Sequence, residues 1–334
     1  MATPVTRALV IGCGSIGSRH LRNLAALGVA ELLAFDTDAE RAAQAVAQVD
    51  GGRVVETLEL GWEASPQLAV IASPTALHVP LARAAVAAGA NVYMEKPVSA
   101  DLDGVDELVA ECEAAGLIGA VGYNWRFNPM IRRVAEVLDS GAVGRPLSVR
   151  AHFGSYLPAR HPWEDYRVGY GARAELGGGV ILDAVTHQLD YLVSMLGWPD
   201  AVSCRAGKRS DLEIDVEDVA DLALDFSGGI VGTIHGDFVE RPHRAALDVI
   251  GSEGTLLADF VARELRLWSA ATEQWQSETF DFDHNDIYLE LMRHVLDCAA
   301  TGSKPSTDLA DGARNLRILL AAKRSAETGE VISL

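Results

Sequence analysis

Two patterns of apolar and polar positions succeed one another along the chain. Over the first 123 residues, short apolar runs at 8–12, 32–36, 67–73, 91–94 and 117–123 alternate with helical spacing at 18–27, 39–49, 76–88 and 101–115. Runs this short and this apolar are what strands buried on both faces look like, and apolar residues at three- and four-residue intervals mark helices with one buried side. Strand–helix alternation predicts right-handed crossovers and a parallel sheet covered on both faces. Residues 1–123 therefore predict a doubly wound α/β domain.

The pattern changes after residue 123. Residues 129–138 and 180–196 have helical spacing, 147–156 reads as a strand, and 157–178 has no regular pattern. Three runs at 219–226, 230–238 and 245–250 alternate like half-buried strands. In the second, Ile230, Ile234 and Phe238 share one face, and Val231, Thr233, His235 and Asp237 share the other. Two helices near 286–300 and 308–327 close the chain. Strands in direct succession predict a large open, mostly antiparallel sheet in a second α/β domain, 124–334, serving substrate binding and oligomerisation. Helices on one face leave the other to be covered. A second copy is one solution, so a homodimer or homotetramer is expected.

Composition narrows the partners. The 28 Lys and Arg stand against 47 Asp and Glu, a net charge of −19. That balance argues against nucleic acid and against a polybasic membrane surface, both of which need clustered cations. No uninterrupted stretch of ~18 apolar residues exists, so no membrane span is expected. The run before Gly12 ends in glycines and Arg19-His20 without a cleavage site, and reads as a strand rather than a signal peptide. Cys13, Cys112, Cys204 and Cys298 form no CxxC and match no zinc spacing, which predicts reduced thiols, a cytoplasmic setting and no metal. The charge is uneven, however. Residues 124–173 hold 8 Arg and 4 acids, net +4, within an otherwise acidic chain. Such an island would favour an anionic substrate.

Gly12-Cys13-Gly14-Ser15-Ile16-Gly17 fits GxGxxG, and it directly follows the first strand and opens the first helix. Gly12 makes the tight turn, Gly14 admits a pyrophosphate to the backbone, and Gly17 lets helix and strand pack closely. The helix start, from Ser15 and Ile16 onward, supplies N–H groups and a positive dipole end. Asp36 ends the second strand, 19 residues past Gly17, where a carboxylate accepts hydrogen bonds from an adenosine ribose. The same carboxylate repels a 2′-phosphate. Thr37 and Asp38 offer no cation and Arg41 stands a helical turn away, so NAD is expected over NADP.

Three further features carry chemistry. Lys96, in Glu95-Lys96-Pro97, follows the strand 91–94, and ligands of such sheets bind beyond the carboxyl ends of strands. Only four lysines exist, at 96, 208, 304 and 323, so Lys96 is not one of a surface set. Asp183 and His187 follow three glycines at i and i+4 of a helix, which puts a carboxylate and an imidazole on one face as an acid/base pair or a plain structural contact. The long irregular loop carries Tyr156, Arg160, His161, Trp163, Tyr166, Arg167, Tyr170 and Arg173. Aromatic faces stack on sugar rings, and arginine pairs with carboxylate or phosphate. His235, Arg241 and His243 are secondary candidates.

Together GCGSIG at 12–17, IASPTALH at 71–78, AAGANVYMEKP ending at Pro97, GYNWRFNP at 122–129, GGGVILDAVTH at 177–187 and GSEGT at 251–255 resemble the Gfo/Idh/MocA family, the glucose–fructose oxidoreductase and inositol dehydrogenase group. The resemblance covers nearly the whole chain. It implies a Rossmann domain followed by an α/β substrate domain, and hydride transfer at a carbinol or carbonyl carbon of a sugar, cyclitol or related polyol. It implies that His187 is the general base in oxidation, that Lys96 hydrogen-bonds the hydroxyl and the nicotinamide ribose, and that Asp183 orients the substrate and tunes His187. Ser73, Pro74, His78 and Glu95 would lie along the cofactor, with Thr75 where many members have Asn. Asn124 and Arg126 would sit at the domain junction near nicotinamide and substrate. YLPARHPWEDYR at 156–167 is similar to members of surface-polysaccharide and amino-sugar pathways. The family also holds enzymes that recycle bound NAD within each turnover, glycosidases among them, and co-regulators without turnover. Retention of Lys96, Asp183 and His187 points to catalysis.

Overall fold

A computed structural model describes residues 4–334 other than His161, Trp163 and Glu164. Two compact units form, Met1–Asn124 with His284–Leu316, and Trp125–Asp283 with Arg317–Leu334.

In the first unit the strands β1 (Arg7–Ile11), β2 (Glu31–Phe35), β3 (Gly52–Val54), β4 (Leu68–Ile71), β5 (Asn91–Met94) and β6 (Gly119–Val121) make one parallel sheet in the order β3-β2-β1-β4-β5-β6. The helices α1 (Ser15–Ala26), α2 (Ala39–Val46), α3 (Leu58–Glu63), α4 (His78–Ala87) and α5 (Val105–Ala114) are interleaved with them. Every residue of β4 is inaccessible to solvent, as the unbroken apolar run LAVI requires. Asp38 starts α2 by accepting from the N–H groups of Glu40 and Arg41. The sequence reading passed over β3 and α3. The first is three residues long, and the second fully buries only Gly61, so neither leaves a periodic signal.

The second unit holds α6 (Pro129–Asp139), β7 (Pro146–Gly154), α7 (Leu157–Arg160) and α8 (Thr186–Leu196), followed by the strands β8 (Pro199–Gly207), β9 (Val219–Phe226), β10 (Ile230–Asp237), β11 (Arg244–Gly251), β12 (Gly254–Asp259), β13 (Glu264–Ser269) and β14 (Gln274–Thr279). The chain ends with α9 (Asp286–Thr301), α10 (Leu309–Thr328) and β15 (Ile332–Ser333). The nine strands run in the order β14-β13-β12-β11-β7-β10-β9-β8-β15. β7 and β10 are parallel and all other pairs antiparallel. Alternation along β9 and β10 is as expected: Leu222, Leu224, Phe226 and Ile234 are buried, and Val231 on the opposite face is exposed. β8 and β12 to β15 were not anticipated. β14 is exposed at every position, so it carries no apolar alternation to read.

The sequence had placed residues 284–316 with the second domain. They cluster instead with the first unit, where Asn285 Nδ2 donates to Asn23 Oδ1 at 2.9 Å and the Arg19 guanidinium lies 4.4 Å over the Tyr288 ring. No helix among the described residues is long and apolar enough to cross a membrane.

Candidate active site

The nucleotide cradle lies between β1 and α1. Gly12 has φ +89°, and its N–H donates to Phe35 O at 2.8 Å, which closes the turn. A Cβ on Gly17 would fall 1.8 Å from Gly12 O, so helix and strand meet at a distance only glycine allows. A Cβ on Gly14 would meet nothing within 4 Å, and no side chain caps the start of α1. The first turn, Ser15 to Gly17, thus keeps an open approach at its positive end, which fits a pyrophosphate. Asp36 is 5% exposed; its Oδ2 accepts from the Cys13 N–H at 2.7 Å and its Oδ1 from the Asp38 N–H at 2.9 Å. These bonds aim the carboxylate at the glycine turn. Arg41, which the spacing set a turn away, reaches Asp36 Oδ1 at 3.3 Å and Asp38 Oδ2 at 3.5 Å. Two carboxylates surround that guanidinium, and the local charge stays negative, as an unphosphorylated ribose requires. The Cys13 thiol is pushed up to about 12 by burial and by the Asp36 charge, so it is inert beside the cradle.

Two loops flank β4 and β5. His78 is 1% exposed; its Nδ1 lies 2.8 Å from Pro97 O and its Nε2 3.0 Å from Ser73 O, and burial lowers its pKa, so the neutral ring donates to one of the two. Both ring nitrogens face backbone carbonyls, so the ring braces the Ser73-Pro74 turn against the loop that presents Lys96. Thr75, also buried, begins the short turn after Pro74. Glu95 Oε1 accepts from Tyr93 Oη at 2.9 Å and lies 2.8 Å from His20 Nε2. Burial alone would raise the Glu95 pKa, but the hydrogen bonds and charge of His20, with Tyr93 and Lys96, outweigh it and hold the carboxyl below its usual value. Lys96 is half-buried directly after β5, and Asn124 closes the unit as a buried residue.

In the second unit Asp183 stands in a π-helical turn, Ile181–Val185, that leads directly into α8 with His187. Such turns recur at functional sites. Gly236 of β10 lets the turn descend onto the sheet, since a Cβ there would lie 2.5 Å from Val185 Cγ2. Asp183 Oδ2 accepts from Arg160 Nη1 at 2.7 Å, and Arg160 Nε donates to Ser155 Oγ at 2.6 Å. The Arg160 guanidinium lies 4.6 Å over the Phe238 ring, and among the described residues its buried Nη2 has no hydrogen-bond partner. The His187 ring lies 6.5 Å from that of Trp125. Arg126 grips Asp190 of α8 through two bonds, Nε to Oδ2 at 2.8 Å and Nη2 to Oδ1 at 2.6 Å.

The loop residues are more committed than their pattern implied. Tyr156 lies under Arg241 at 3.5 Å. Arg167 pairs with Asp165 at 2.8 Å and Glu213 at 3.3 Å, and Tyr166 Oη accepts from the Glu213 N–H at 3.4 Å. Trp163 and His161 lie outside the described residues. His235 does not join Asp183. It belongs to the strand face opposite Ile234 and Gly236, and bonds Asp221 and Asp237 there. Asp190 and Glu217 were missed. Asp190 completes a polar i, i+4, i+7 stripe with Asp183 and His187 in an apolar helix, a signal present in the sequence. Glu217 had none: its Oε1 accepts from the Ile181 N–H at 3.2 Å and its backbone O from the Val180 N–H at 3.1 Å, which starts the π-turn from a distant loop.

Comparison with known proteins gives matches to both halves of the chain. Residues 6–123 match the model of an oxidoreductase family with an NAD-binding Rossmann fold, and residues 131–257 match the GFO/IDH/MocA C-terminal domain. The chain is 31% identical over 287 residues to inositol 2-dehydrogenase 2 of Saccharopolyspora erythraea, covering 78% of this chain and 84% of that one. It is 26% identical over 306 residues to 1,5-anhydro-D-fructose reductase of Ensifer adhaerens, with 90% of each chain covered. In fold it is similar to the WlbA dehydrogenase of Bordetella pertussis in complex with NADH and UDP-GlcNAcA, with TM-score 0.85, 24% identity, and 100% and 99% of the two chains covered.

Proposed function

We propose, from the premise that this chain belongs to the Gfo/Idh/MocA family of NAD-binding oxidoreductases, that it moves a hydride between nicotinamide and a secondary hydroxyl or ketone of a sugar, amino-sugar, nucleotide-sugar or cyclitol. The observation that carries this reading is the polar stripe of Asp183, His187 and Asp190, with Arg160 on the first acid and Arg126 on the last. In the oxidative direction His187 takes the hydroxyl proton as the carbinol C–H bond breaks and the carbonyl forms. NAD, when bound, provides the carbon that accepts the hydride. Asp183, held by Arg160, orients the substrate. Lys96, on the first unit, is assigned to the reacting hydroxyl and the nicotinamide ribose, with the glycine turn and Asp36 holding the adenosine half.

The relatives named for inositol and anhydrofructose support a polyol or sugar substrate. An anionic group on it draws only weak support from the positive island, because Arg126, Arg133, Arg160, Arg167 and Arg173 are matched by Asp190, Glu278, Asp183, Asp165 and Asp215. The open sheet face supports a homo-oligomer, and four buried, unbridged cysteines support a reducing, cytoplasmic setting.

The test is a panel of sugars, cyclitols and nucleotide-sugars read by NADH fluorescence. His187→Ala and Lys96→Ala are expected to lower turnover by about 10²–10⁴ with fold and NAD binding retained. Near-wild-type rates in both would sink the assignment. Product without accumulating NADH would instead identify an enzyme that recycles its cofactor.

A further inference from the structure

On the sheet face opposite the π-turn, neighbouring strands bring imidazoles and carboxylates together. His152 of β7 and His235 of β10 are register partners, and their rings stack 4.7 Å apart at 28°. His235 Nδ1 lies 2.7 Å from Asp221 Oδ1 of β9, and its Nε2 lies 3.0 Å from Asp237 Oδ2. His152 Nε2 lies 2.6 Å from Glu240 Oε2. One donor atom from each of His152, His235 and Asp237 lies within 4.8 Å of the others.

Several features go beyond ordinary ion pairing. Asp237 is 4% exposed, and its Oδ1 accepts from the N–H groups of Val239 and Glu240 at 2.7 and 2.6 Å, which leaves Oδ2 aimed at the imidazoles. Asp221 on Nδ1 of His235 leaves Nε2 as the inward nitrogen, the arrangement that orients histidine ligands of metals. Gly154 makes room: a Cβ there would lie 1.9 Å from Glu240 Oε2 and 2.6 Å from Asp237 Oδ2, so these two carboxylate oxygens converge on one point. A cavity of about 730 Å³ on the same face, lined by His152, His235 and Asp221, gives an ion its way in.

We propose that His152, His235 and Asp237, with Glu240 as fourth donor, bind a divalent first-row transition metal such as zinc. Two imidazoles and two carboxylates suit that class, and four protein donors make a closed, structural site. The ion would join β7, β10 and the segment after β10, and takes no part in the hydride chemistry. No metal-binding spacing announces it, because His152 sits more than eighty residues before His235, Asp237 and Glu240 and meets them through strand pairing.

The test is titration of chelator-stripped full-length protein, with ZnCl2 followed by calorimetry and Co2+ followed by its visible absorption. One ion per chain is expected. His152→Ala and His235→Ala should each weaken zinc binding about a hundredfold, and Asp221→Asn by about 10–100-fold. His243→Ala, outside the donor set, should bind as wild type. Circular dichroism monitors the fold, and half-exposed Glu240, as Glu240→Gln, replaces any histidine variant that unfolds. Absence of stoichiometric binding, or unchanged affinity in folded donor variants, would overturn the proposal.

Discussion

A single residue in this protein is defined by what it is paired with. Arg126 is 13% exposed and Asp190 is inaccessible, so removing one partner strands the other charge. Arg126→Ala is expected to cost about 3–5 kcal/mol in urea unfolding. Replacing both by apolar residues should recover most of that loss; an additive double variant would show that the two do not act as a pair. Glu95 gives a pH signature. Its carboxyl is held below the ordinary value of 4.5, so its stabilising contribution is complete above that value and is lost as pH falls through the lowered one. Glu95→Gln should therefore flatten the acid limb of the stability curve, and an unchanged limb would count against the role given to His20 and Tyr93. The sequence marked Glu95, Lys96, Asp183 and His187 as candidates. It did not show that Asp183 meets Arg160 or that His78 is a strut, since those facts depend on atoms distant in the chain.

At the scale of elements, the two fingerprint glycines separate folding from binding. Gly17→Ala drives a Cβ into Gly12 O and should destabilise the fold by about 1–3 kcal/mol, whatever its effect on NAD. Gly14→Ala meets nothing in the protein, so it should fold as wild type and lose NAD affinity, because its Cβ occupies the approach to the helix start. Thermal denaturation with and without NAD distinguishes them, and equal stability losses in both would undo the distinction. Elements with strong periodicity were legible: β5 and β9 fall where their apolar patterns indicate. β14, exposed throughout, and β3, three residues long, were not, because their pairing is set by neighbouring strands rather than by their own composition.

For the whole molecule, the open sheet face yields a prediction about assembly. Val231 and Trp275 are about half exposed, at 49% and 48%, and such apolar positions on a mixed, uncovered sheet face are where a second copy would be expected to pack. Light scattering at micromolar concentration should give a mass above that of one chain, and Val231→Lys should lower it; a monomeric wild type would dismiss the oligomer. The net charge of −19 is a property of the sequence and stands. Part of the positive island is neutralised on folding, because acids at residues 190, 278, 213 and 215 come to Arg126, Arg133, Arg167 and Arg173. Local periodicity and turn chemistry are carried by neighbours in the chain, and so the sequence by itself determined the doubly wound first unit, the glycine cradle with Asp36, and the Asp183–His187 spacing. Which charges are neutralised, which side of the sheet His235 serves, and where residues 284–316 belong were decided by tertiary structure, because strand pairing and burial bring together groups whose separation along the chain carries no information about their separation in space.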